Sequence, residues 1–206
     1  MSQGQVSRRE FLKTAGALGA GLAVSGVTPR AFGDTPDNPN IVLIFTDDQG
    51  YGDMGCFGAE GFRTPNWDRM AREGAKFTDF YVSAPVCTPS RAALLTGCYH
   101  SRVGALNVLF PNANKGLNPD EITLGNLLKQ QGYATACIGK WHLGDRKPFL
   151  PTNQGFDYYY GIPFSNDMTP EELPLMRNEE VIERPADQNT VTRRYTEEAV
   201  TFMKEN

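Results

Sequence analysis

The sequence predicts an α/β fold, a sheet flanked by helices on both of its faces. Three observations carry this expectation. The continuous apolar run Ile41-Val42-Leu43-Ile44-Phe45 has the β-branched content of a strand buried on both sides. Behind it, segments of strand character alternate with segments of helical period, and no internal repeat is present. With 206 residues, 40% of them hydrophobic, the chain is long enough to bury a core between layers.

The first 33 residues read as an address rather than as fold. Ser7-Arg8-Arg9-Glu10-Phe11-Leu12-Lys13 matches the twin-arginine export pattern, and a weakly apolar, Gly/Ala-rich stretch over residues 14–27 follows it. That stretch is too short to span a bilayer, so no transmembrane anchor is expected. Small residues at Ala31 and Gly33 place the cleavage near Asp34. The implied partner is the Tat translocon, and the implied destination is the periplasm or the outside of a bacterial or archaeal cell. Residues 34–40 form a Pro/Asn/Asp linker, and residues 41–206 are the folded part.

The strand over residues 41–45 ends abruptly in Thr46-Asp47-Asp48-Gln49-Gly50. Thr64-Pro65 then opens a helix that runs through Trp67, Met70 and Ala71 to a stop at Gly74, and residues 76–82 read as the next strand. Thr88 is a good N-cap and Pro89 suits a first helical position, so Ala92, Ala93, Leu94 and Leu95 run down a helix whose N-terminus lies beneath Cys87. A later helix carries Leu124, Leu127 and Leu128 and stops near Gly132, and residues 133–138 form a strand. Beyond Pro148 the chain is rich in turn residues until residues 191–203 resume a helical pattern, with Tyr195, Ala199, Val200 and Met203 on or near one face.

A net charge of -4, without a periodic basic and aromatic stripe, excludes a nucleic-acid footprint. The cysteines at 56, 87, 98 and 137 have no zinc-like spacing, and Cys87 and Cys98 fall at opposite ends of one helix. A bridge between Cys56 and Cys137 and two unpaired buried thiols both remain open.

Open α/β sheets gather their ligands at the carboxyl ends of strands, and the polar oddities of this chain fall there. Asp47 and Asp48 repel one another unless a hard cation with oxygen ligands sits between them; a solvated turn is the other use of such a pair. In the run from Cys87 to Gly97, unpaired amide N–H groups at the helix start favour an anion, and Arg91, one turn along, reaches back with a positive fork. Taken alone, that run also fits a plain helix start with a buried free cysteine. Lys140 and His142, two positions apart in an extended segment, point to one side and can address one site. The other reading leaves Lys140 in solvent and His142 satisfied by backbone, with Trp141 in the core.

Cys87-Thr88-Pro89-Ser90-Arg91, followed by an apolar pair and Thr96-Gly97, resembles the modification motif of the type I, formylglycine-dependent sulfatases. Asp47-Asp48-Gln49-Gly50-Tyr51-Gly52 and Gly139-Lys140-Trp141-His142-Leu143-Gly144 match the same family in the same order. A fourth stretch, Gly155-Phe156-Asp157 onward to Ser165-Asn166-Asp167, is similar to that of the arylsulfatase A and N-acetylgalactosamine-6-sulfatase type. Many relatives carry histidine where Asn166 stands here.

The resemblance implies an alkaline phosphatase-like sheet, incomplete at the C-terminus, and a sulfuric ester hydrolase acting on an aryl sulfate or a sulfated glycan. It implies that a formylglycine-generating or anaerobic sulfatase-maturating enzyme oxidises Cys87 to 3-oxoalanine (formylglycine). It further implies that Asp47, Asp48 and the modified Cys87 hold Ca2+, or Mg2+, that Lys140 and Ser165 bind the sulfate, and that Arg91, Lys140 and His142 serve catalysis. One hydroxyl of the aldehyde hydrate attacks sulfur and expels the alcohol; the second loses its proton and collapses to the aldehyde, ejecting sulfate. The family's later histidine, Asp-Asn or Asp-Gln pair and second lysine have no counterpart here, so residues 41–206 are expected to be the first part of a catalytic domain, with little activity alone. A phosphonate or phosphate ester hydrolase of the same superfamily and an inactive truncated exported protein are the competing readings.

Overall fold

The computed structural model describes residues 39–206. The twin-arginine segment and residues 34–38 of the linker lie outside the described residues. The described residues fall into two units, residues 39–46 in the first and Asp47–Asn206 in the second. In the first, the expected strand over residues 41–45 does not form: Ile41, Val42, Leu43 and Ile44 are each more than half exposed, and no described strand pairs with them. Apolar, β-branched content favours a strand only where a partner supplies the other half of the ladder.

The second unit is built on a mixed sheet of four strands in sequence order: β1 (Ala136–Ile138), β2 (Tyr158–Gly161), β3 (Leu175–Arg177) and β4 (Glu180–Glu183). β1 and β2 are parallel, with Cys137 opposite Tyr159, while β2/β3 and β3/β4 are antiparallel. Asn178, at φ 53, turns the chain between β3 and β4; a short polar residue tolerates that left-handed geometry.

Four helices accompany the sheet. α1 (Pro65–Glu73) starts on Pro65 and stops at Gly74, as the sequence predicts. α2 (Cys87–Thr96) begins two residues earlier than expected, with Val86 as its N-cap, so Thr88 and Pro89 fall inside its first turn. Proline is tolerated there because the first four helical amides have no intrahelical partner in any case. α3 (Leu124–Gln130) is capped by the Thr123 hydroxyl, which accepts from the Asn126 amide, and α4 (Val191–Glu205) matches the periodic C-terminal segment.

Side-chain alternation along β2 distributes the helices. Tyr158 and Tyr160 face α4, where Tyr158 stacks on Phe202 (6.1 Å between centroids) and Tyr160 meets Tyr195 edge-on (6.2 Å). Tyr159, fully buried, points the other way into a core with Ala92 of α2, Val103, Leu117, Trp141, Leu143, Leu150 and Met176. Helices on both faces of the sheet follow directly from this period of two.

Two further expectations differ from the structure. Residues 76–82 are irregular, with Phe77, Phe80, Tyr81 and Val82 exposed, because no described strand lies beside them. The turn-rich stretch after Pro148 contains short 3-10 turns at Lys147–Phe149 and Pro151–Asn153, but also β2, β3 and β4.

Candidate active site

Parallel pairing brings the carboxyl ends of β1 and β2 to one edge of the sheet. The chain leaving β1 continues alongside the chain leaving β2: the amides of Gly139, Trp141 and His142 donate to the carbonyls of Tyr160, Ile162 and Pro163 at 2.8, 2.9 and 3.1 Å. Gly139, at φ 106, and Gly161 let these backbones close in; a Cβ on Gly161 would lie 1.8 Å from the Gly139 oxygen. Lys140 and Ser165 therefore meet although 25 positions separate them, with Lys140 Nζ donating to Ser165 Oγ at 3.2 Å.

The same ammonium donates to Asp47 Oδ2 at 2.7 Å. The lysine side chain is 10% exposed and the aspartate 50%, so this pair is half in water. Asp48 sits beside it at φ 50, exposed, and makes no hydrogen bond or ion pair among the described residues. The structure thus joins Asp47, Lys140 and Ser165 directly and leaves Asp48 apart.

α2 delivers two more candidates. Cys87 opens the helix as a half-buried free thiol, and Arg91, one turn on, donates from its guanidinium to the Lys140 carbonyl at 2.6 Å. Burial lowers the Arg91 pKa, while Asp47, Cys137, Cys87 and Tyr159 nearby act in the opposite sense. From a high starting value the guanidinium stays a cation.

His142 is 1% exposed and adopts φ 60. Its Nε2 lies 2.8 Å from the Leu109 carbonyl, and its Nδ1 is buried with no hydrogen-bond partner among the described residues. Burial lowers its pKa, the Leu109 hydrogen bond opposes that, and the positive charges of Lys140 and Arg91 lower it further. The ring is therefore neutral near pH 7.

Sequence reasoning missed two members of this surround. Thr88, expected as a cap, instead spends its hydroxyl on His142 and Leu109. Asp167, whose carboxyl the Ser165 hydroxyl holds below the ordinary range, lies within the electrostatic reach of Lys140 and His142. The Ser165-Asn166-Asp167 cluster was the only signal of its presence.

The donor chemistry beside Lys140 suits a hard cation: two adjacent carboxylates, Asp47 and Asp48, and the buried Gln49 Oε1, which has no hydrogen-bond partner among the described residues. The shell is partial, because no group of three or more His, Cys, Asp or Glu side chains is placed to hold a metal ion among the described residues. All four cysteines are free.

A family model described as Sulfatase matches residues 39–206. The chain belongs to the sulfatase family. Its similarity to human arylsulfatase A is 49% identity over 157 residues, covering 75% of this chain and 29% of that protein. Among solved structures, i-CgsB superposes with a TM-score of 0.72 at 34% identity, covering 82% of this chain and 42% of that one. A second, BT4656 in complex with its substrate D-glucosamine-2-N,6-O-disulfate, gives 0.65 at 32% identity over 82% of this chain and 32% of that one. This sulfatase thus has the alkaline phosphatase-like fold, and it spans less than half the length of the curated relatives it matches. Residues 5–25 match a signal sequence of the twin-arginine translocation pathway, which directs export to the periplasm or beyond. Among the described residues no helix is long and apolar enough to cross a membrane.

Proposed function

We propose that this sulfatase serves hydrolysis of a sulfate ester at the edge where β1 and β2 end, with Cys87 as the precursor of its nucleophile. The observation that carries the reading is the convergence of Lys140 on Ser165 and Asp47, while Arg91 clips the start of α2 to the Lys140 backbone. A lysine in contact with a hydroxyl, its backbone held by an arginine that feels the half-buried cysteine at the start of the same helix, offers the positive and polar groups of an anion site.

In this reading a formylglycine-generating or anaerobic sulfatase-maturating enzyme converts Cys87 to formylglycine, and the Tat translocon carries the product out. Lys140 and Ser165 hold nonbridging sulfate oxygens, and Lys140 offsets the charge that builds on them during transfer. Arg91 keeps the nucleophile's oxygen in a positive field. His142, neutral and with a free Nδ1, accepts a proton from the hydroxyl side. Asp47, Asp48 and the modified Cys87 would hold Ca2+ or Mg2+, which supplies Lewis acidity at the ester when bound. Aryl sulfates and sulfated glycans are the substrate classes, supported by the similarity to arylsulfatase A and to BT4656.

The test is Cys87→Ser in the full-length protein, assayed on an aryl sulfate with the modification state of position 87 read by mass spectrometry. The native peptide should carry formyl in place of thiol, and the serine variant should transfer sulfate once and then stall. Multiple turnover at the wild-type rate by the variant would remove Cys87 from the chemistry.

A further inference from the structure

A closed ring of hydrogen bonds ties the first turn of α2 to His142. Thr88, 2% exposed, donates from Oγ1 to the His142 carbonyl at 2.9 Å and accepts the Leu109 amide at 3.1 Å. The ring closes through the Leu109 carbonyl, 2.8 Å from His142 Nε2. Thr88 has no capping role in its own helix, since Val86 is the N-cap and the Thr88 hydroxyl serves residues 21 and 54 positions away.

The chemistry of the ring dictates the state of the imidazole. A carbonyl oxygen only accepts, so Nε2 must carry the proton in this contact, and the neutral ring keeps its lone pair on Nδ1. Nδ1 is the atom left buried without a partner among the described residues. The backbone is committed as well: φ 60 is a left-handed conformation that a non-glycine residue holds only when its surroundings over-determine it. The Thr88 bond to the His142 carbonyl and the His142 amide bond to Pro163 fix both polar groups of that residue.

We infer that Thr88 is a positioning residue for His142. With Leu109 it holds the imidazole in the Nε2–H tautomer, so that Nδ1 is presented as the acceptor. The inference rests on the reading of His142 as the proton acceptor of the sulfatase site, but the tautomer is measurable without turnover. Proton flow then has a defined atom at its end, and the residue after the modified cysteine has a role separate from that of the cysteine.

The experiment compares Thr88→Val, which keeps the volume and loses both hydrogen bonds, with Thr88→Ser, which keeps the hydroxyl. Long-range proton–nitrogen spectra of histidine-labelled full-length protein report the tautomer, and the signals lost in His142→Gln are those of His142. The wild type and Thr88→Ser should show a single Nε2–H form at His142, and Thr88→Val a mixture or the Nδ1–H form. With rates normalised to the formylglycine content of each preparation, kcat of Thr88→Val should fall about 10- to 100-fold with KM little changed, and Thr88→Ser should recover most of it. Should Thr88→Val fail to fold, Thr88→Cys, similar in size and a weak hydrogen-bonder, takes its place in both arms. An unchanged His142 tautomer in the folded variant overturns the inference, whether or not the rate falls. A wild type without sulfatase turnover sinks the proposed function, and the spectra still decide the role of Thr88.

Discussion

Tyr159 carries a hydroxyl that the fold does not use. The ring is fully buried between Ala92, Trp141 and Met176, and its oxygen has no hydrogen-bond partner among the described residues. Burial pushes the phenol well above its ordinary pKa, with Cys137 and Tyr195 adding to the effect and Arg91 opposing it. An unsatisfied buried hydroxyl costs free energy that a phenyl ring does not, so Tyr159→Phe should leave stability unchanged or raise it by about 1 kcal/mol, read as a higher urea midpoint. A clear loss would mean that the hydroxyl does bond in solution. Cys137, its neighbour across the sheet, is likewise chemically quiet: burial pushes the thiol up to about 12, with Arg91 pulling the other way. Cys137 is half-buried, and its packing against the core, which sequence spacing alone does not reveal, is what raises its thiol.

Among the elements, the helices and β1 were legible and the other strands were not. α1 and α3 begin and end on local signals, Pro65, Thr123, Gly74 and Gly132, whose effects act within a turn of the residue itself. A strand has no such local definition. Residues 41–45 and 76–82 have better β-composition than Leu175-Met176-Arg177, yet only the latter have a neighbouring ladder. Tyr158 to Gly161 read as turn-rich because of the surrounding Gly, Pro and Asn, and pairing with β1 makes it a strand. That pairing depends on two glycines. Gly161→Ala would drive a methyl group into the Gly139 carbonyl, so the variant should lose about 3 kcal/mol in chemical denaturation, and a midpoint equal to the wild type would show that the two strand ends can separate.

At the scale of the whole molecule, the acid side of the stability curve follows from groups distributed across the Asp47–Asn206 unit. His142 has its pKa lowered below 6.5 by burial, so the unfolded chain takes up a proton first and stability falls as pH drops below that value. Lys129, opposed by partial burial and joined by Thr135, holds the Asp157 carboxyl below its ordinary range. The Asp187 amide and then Arg194 do the same for Glu183. A depressed carboxylate stabilises above its unfolded pKa, about 4, and that contribution is lost as pH falls through the lower folded value. Urea midpoints should therefore decline in two stages, and Asp157→Asn should flatten only the more acidic one; a single carboxylate-only decline would mean that His142 is solvated. The gathering of the candidate site was legible only as motifs on separate strand ends. That Lys140 would meet Ser165 and Asp47, and that Thr88 would serve His142, depends on contacts across 25 to 93 positions, which no local pattern encodes.

The backbone from Gly139 to His142 is tied from both directions. Its Gly139, Trp141 and His142 amides are bonded along the extension of β2, and its Lys140 and His142 carbonyls are taken by Arg91 and Thr88 of α2. Trp141 between them is 2% exposed. Amides so placed trade deuterium only when the surrounding unit opens, so uptake at Trp141 and His142 should be among the slowest in the protein and should track global unfolding. Fast uptake there under native conditions would show that the segment breathes on its own. Lys140, proposed to meet the sulfate, thus rides on a strip of chain held from two sides, and any accommodation of differently shaped alcohols falls to the parts that border it.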